Sequence, residues 1–95
     1  MSALLVTYEL KNKEMDYSTF QSMLRSYPWV RVNENTVLLQ STDSPADFFD
    51  GIWPWVDQHD LVMISKLDRN YAGILPDDVQ AWIKVHMTSE EPVAA

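Results

Sequence analysis

Leu4-Leu5-Val6-Thr7-Tyr8-Glu9-Leu10-Lys11 is a hydrophobic stretch that runs straight into a polar end carrying one carboxylate. Taken from Ala3, it alternates with a period of two. Leu4, Val6, Tyr8 and Leu10 fall on one side, and Ala3, Leu5, Thr7 and Glu9 on the other, which is the pattern of a β-strand. Glu9 therefore lies opposite the most apolar face, where an acid serves either chemistry or solubility.

Beyond this strand, Lys11-Asn12-Lys13-Glu14 is a polar link, Asp16 has the chemistry of an N-cap, and Met15 before it can staple onto Phe20. Tyr17, Phe20, Met23, Leu24 and Tyr27 recur at helical spacing until Pro28, which disfavours helical geometry at Tyr27. Two short strands follow, Trp29 to Val32 and Thr36 to Gln40. They are joined by Asn33-Glu34-Asn35, whose asparagines tolerate the left-handed conformation of tight hairpins. Ser44-Pro45 then supplies an N-cap and a first-turn proline for a helix with an apolar stripe of Phe48, Phe49, Ile52, Trp53 and Val56. Pro54 predicts that this helix ends near Trp53 or kinks there. After the turn Asp57-Gln58-His59-Asp60, Leu61 to Lys66 reads as the last strand and 67–75 as a loop. Pro76, Asp77 and Asp78 open a third helix, with Val79, Trp82 and Ile83 on one face and Lys84 and His86 in its closing turn. The expected fold is α+β, a ferredoxin-like βαββαβ sandwich with an appended C-terminal helix. It makes a single domain over 1–87, followed by a flexible tail over 88–95.

Composition bounds the function. With 46% hydrophobic and 12% aromatic residues, 95 residues suffice for one modest core that removes about 60–65% of the unfolded surface from water. The absence of cysteine excludes disulfides and thiolate metal sites. Neither a signal peptide nor a membrane span is legible, so a soluble cytoplasmic protein is expected. The net charge of −7, with bases that are scattered, works against binding a nucleic acid, since phosphate contacts need Lys and Arg.

Five segments carry a resemblance: Leu5 to Leu10, the start of the hairpin at Trp29, Thr36 to Gln40, Ile52-Trp53-Pro54-Trp55-Val56-Asp57, and Leu61 to Leu67. Through them the chain resembles the SinR-like hypothetical proteins, distant relatives of CRISPR-associated protein 2 and of VapD-type toxins. The resemblance implies a ferredoxin-like fold and a bacterial or phage setting linked to mobile elements or defence. In such relatives the first strand ends in Tyr-Asp, and that Asp is proposed to hold a divalent metal between two subunits. Here the pair is Tyr8-Glu9, whose extra methylene displaces the carboxylate from near-octahedral Mg²⁺ geometry.

Glu9 is thus the one metal-ligand candidate, and Mg²⁺ a cofactor only if the chain is a nuclease. Lys11 and Lys13 are its neutralising neighbours. Nothing else completes a catalytic set: His59 and His86 lack ligand spacing, no nucleophile-elbow pattern surrounds a serine, and two glycines cannot build a phosphate-cradling loop. Trp53 is expected in the core, with Trp55 covering the helix end or meeting a partner. A second sheet face bearing Trp29, Arg31, Leu38 and Met63 is too apolar to stay open, which predicts a homodimer built on these residues and Trp55. The leading expectation is a non-catalytic interaction protein. The alternatives are a metal-dependent endoribonuclease or endodeoxyribonuclease, and an acidic inhibitor of a nucleic-acid-binding partner using Asp43, Asp47, Asp50, Asp57 and Asp60.

Overall fold

The computed structural model describes residues 3–68 and 71–87, so the expected tail over 88–95 lies outside the described residues. The elements run β1 (Ala3–Glu9), α1 (Ser18–Arg25), β2 (Trp29–Asn33), β3 (Thr36–Gln40), α2 (Pro45–Ile52), a 3₁₀ turn (Trp53–Trp55), β4 (Leu61–Leu67) and α3 (Asp77–Met87). The four strands form one antiparallel sheet in the order β2-β3-β1-β4. Strand β1 sits inside the sheet, with Leu4 opposite Leu39 on one neighbour and opposite Lys66 on the other. This is the α+β, ferredoxin-like arrangement expected, with α3 appended. None of the helices among the described residues is long and apolar enough to cross a membrane.

The alternation of β1 divides the interior into two cores. Leu4, Val6 and Tyr8 pack with Phe20 and Leu24 of α1, Val37 and Leu39 of β3, and Phe48 and Ile52 of α2. Tyr8 meets Phe20 edge-on at 5.3 Å between ring centroids, a favoured aromatic geometry. On the other side, Ala3 and Leu38 lie under Val79, Ile83 and Met87 of α3. His86 Nδ1 reinforces that contact by donating to Gln40 Oε1 at 2.8 Å. The appended helix therefore covers the second face over Ala3 and Leu38, which the expectation of an open apolar face had left bare.

Local signals place the helices. The Ser18 backbone N–H donates to Asp16 Oδ1 at 2.9 Å and holds that carboxyl below its usual range, while Tyr17 occupies the cap position itself. Ser44 Oγ accepts from the Asp47 N–H at 3.1 Å, with Pro45 in the first turn. Pro54 converts the end of α2 into the 3₁₀ turn, as the loss of its N–H requires.

The β2–β3 turn differs from expectation. No residue, glycine included, has a positive φ among the described residues. Instead Asn33 Oδ1 accepts from the Asn35 N–H at 2.8 Å, and a register shift between Arg31 and Asn33 absorbs the twist that a left-handed turn would otherwise supply.

Candidate functional site

Glu9 ends β1 on the exposed side, and its Oε1 lies 4.0 Å from Lys11 Nζ. An exposed pair at that distance contributes little to stability. A groove of about 440 Å³ runs beside it, lined by Thr7, Tyr8, Glu9, Asn35, Leu61, Val62 and Met63. Among the described residues no three His, Asp or Glu side chains come together to hold a metal.

The nearest dense polar arrangement centres on Asp60, a turn residue and one of the acids of the inhibitor alternative. Asp60 Oδ1 accepts from the Lys11 backbone N–H at 2.7 Å and from Tyr17 Oη at 2.9 Å, and Oδ2 accepts from the Asp57 N–H at 2.8 Å. Tyr17 Oη in turn accepts from the Asn12 N–H at 3.1 Å. Burial raises the Asp60 pKa, but the donors from Lys11, Asp57 and Tyr17 outweigh it and hold the carboxyl below its usual range. Tyr17 moves the other way, raised by burial and by its bond to Asp60. Every partner of Asp60 is a backbone amide or this phenol, so the cluster clamps three chain segments together. Its signal in the sequence is weak, because the partners lie 43 and 49 residues apart.

The residues expected to form one interface are not on one face. Trp29 and Arg31 pair with Leu39 and Val37, which puts them on the α1/α2 side of the edge strand β2. Arg31 Nη1 donates to Tyr8 Oη at 3.4 Å and its guanidinium stacks 5.7 Å from the Trp29 ring. Leu38 is buried beneath α3. The cause is pairing: β2 begins at Trp29 as expected, but Val30 and not Trp29 or Arg31 lies opposite Leu38, and an alignment that differs by one residue exchanges the two faces. Met63 is open on the second face, 64% exposed beside Leu61 at 56%, on β4, which is an edge strand among the described residues.

The expectation of Trp53 in the core needs correction: it is 56% exposed, and Trp55, expected at the helix end or against a partner, is 45% exposed. Phe48 and Ile52, four apart, supply the inward stripe of α2, and Trp53 lies one position round, about 100° away. Phe49, four residues before Trp53, shares its outward side. The surrounding sequence is one-signed: between Arg31 and Lys66 there is no Lys or Arg, while Glu34, Asp43, Asp47, Asp50, Asp57 and Asp60 all fall there.

No protein-family model matches this chain, and neither a curated protein nor a solved structure matches it. Fold and surface define a small α+β protein with a ferredoxin-like sheet, a bonded acid clamp and aromatic side chains at the surface.

Proposed function

We propose that the chain is a small non-catalytic interaction protein of CRISPR-associated-protein-2-like fold, working as a homodimer in the cytoplasm of a bacterial or phage-infected cell, in mobile-element or defence biology. The family and setting rest on the resemblance of the strand and hairpin motifs described above. The observation that carries the interaction reading is that β4, seven residues long, is unpaired on its outer edge among the described residues, with Leu61 and Met63 at the surface. An uncovered edge with apolar side chains invites pairing with another chain. Lys66 is its only charge. A second copy pairing along β4 would cover Leu61 and Met63 on both chains, in the self-complementary way a two-fold interface requires.

The non-catalytic part is supported by Glu9, whose carboxylate faces Lys11, and by a net charge of −7 that repels a phosphate backbone. Incubation of purified protein with single- and double-stranded RNA and DNA, with Mg²⁺ or Mn²⁺, tests it. The expected result is no cleavage, with Glu9→Gln indistinguishable from the parent. Robust cleavage that vanishes in a folded Glu9→Gln variant would overturn this reading and establish a metal-dependent nuclease.

A further inference from the structure

We infer that the outward face formed by α2 and the following 3₁₀ turn docks a basic protein partner, an amphipathic segment carrying Arg or Lys beside apolar side chains. This rests on the reading of the chain as an interaction protein and assigns that role a second surface, apart from β4. Phe49, Trp53 and Trp55 are 41%, 56% and 45% exposed. Phe49 and Trp53, four residues apart, share one side of the helix, and Trp55 adds exposed aromatic surface two residues further on. They are not needed by the fold, because Phe48 and Ile52 already fill the core beneath α2. Gly51 sits among them, and a Cβ built there meets nothing within 4 Å, which leaves room for a side chain to settle beside Trp53.

Charge selects the occupant. Asp47 and Asp50 share α2 with the aromatics, Asp57 follows the 3₁₀ turn, and no Lys or Arg occurs from 32 to 65. A second copy docked through this face would set these acids against their own equivalents, and such like-charge juxtaposition is strongly unfavourable. The segment Thr88–Ala95 carries Glu90 and Glu91 and no base, so it offers no complement either. A nucleic acid is repelled. A cationic segment matches the acids, and its guanidinium or ammonium groups can sit over the tryptophan faces.

The test is titration of the whole chain with a synthetic amphipathic helical peptide of leucine and arginine, followed by tryptophan fluorescence and by NMR shifts of the indole N–H groups. A peptide with glutamate in place of arginine serves as the comparison. The expected result is saturable one-to-one binding of the arginine peptide alone, with shifts centred on Trp53 and Trp55. Phe49→Ser with Trp53→Ser should weaken it about tenfold or more, the usual loss when an aromatic anchor is removed. Asp47→Asn with Asp50→Asn should weaken it and flatten its salt dependence. Glu14→Gln with Glu34→Gln changes the charge equally but off this face, and should alter affinity by no more than about twofold, as scattered surface charges do. All of these side chains are exposed, and a melting curve for each variant verifies its fold. Failure to saturate, equal loss in the Glu14/Glu34 variant, or retention in the Phe49/Trp53 variant would overturn the inference. So would conversion of a dimer to monomer by Phe49→Ser with Trp53→Ser, since the face would then belong to self-association. The mass of the free protein reads the β4 homodimer independently of any peptide.

Discussion

Replacing Asp60 by alanine removes the acceptor shared by the Lys11 N–H, the Tyr17 hydroxyl and the Asp57 N–H. A hydrogen bond contributes about 1 kcal/mol net, somewhat more to an ionised acceptor. The Lys11 bond is exposed and water can replace it, so the three together come to about 2 kcal/mol. For a domain of this size, that lowers Tm by roughly 10 °C. Asp60→Asn keeps one acceptor oxygen and turns the other position into a donor, so about half the loss is expected. The pH dependence has a definite sign. Because the folded-state pKa of Asp60 is lowered, its contribution is complete above about pH 4 and is lost as pH falls through that lower value. The gap between parent and Asp60→Ala should therefore be full at neutral pH and close in acid. Thermal melts across pH, with urea titrations to verify an unchanged m-value, measure it. An Asp60→Ala variant that melts within about 2 °C of the parent at neutral pH would refute the clamp.

Other substitutions test separate parts of the fold. Gly51→Ala should stabilise by about 0.5–1 kcal/mol in urea titrations, since the helix gains propensity and the new methyl meets nothing within 4 Å. Ser44→Ala should cost about 1 kcal/mol by the same measurement through loss of the cap on the Asp47 N–H. Leu38→Ala should cost about 2–5 kcal/mol, because Leu38 is fully enclosed beneath α3; a loss close to zero in urea would show that the helix does not cover this face.

What the chain reveals locally, it reveals well. The alternation of β1 sorts Leu4, Val6 and Tyr8 from Ala3 and Leu5 as the two cores do. Ser44-Pro45 and Pro54 act through steric and hydrogen-bonding rules confined to a few residues, and the bounds of α2 follow them, while α1 ends at Arg25, two residues short of the Tyr27 that Pro28 marks. Register and long-range pairing are different. The face of Trp29 and Arg31 depends on how a five-residue edge strand aligns with β3, and a bulge sits within that alignment. That α3 closes the second face over Leu38 depends on where the chain returns after β4, which its own amphipathic pattern does not specify. The breadth of the α2 stripe misled in the same way. Five apolar residues suggest a wide buried face, but only Phe48 and Ile52 are deeply buried and Phe49 and Trp53 turn outward. The Asp60 clamp joins segments more than 40 residues apart and leaves no periodic trace. At Glu9 the pairing with Lys11 was legible, being two residues away on the same exposed strand end.

Self-association through the uncovered β4 edge is the claim on which the interaction reading stands, and the mass of the protein in solution tests it most directly. Light scattering over a micromolar concentration series should give twice the 11.0 kDa of one chain, and Met63→Lys should return it to a monomer by placing a charge on the exposed apolar edge. A mass that stays at 11.0 kDa as concentration rises would contradict it.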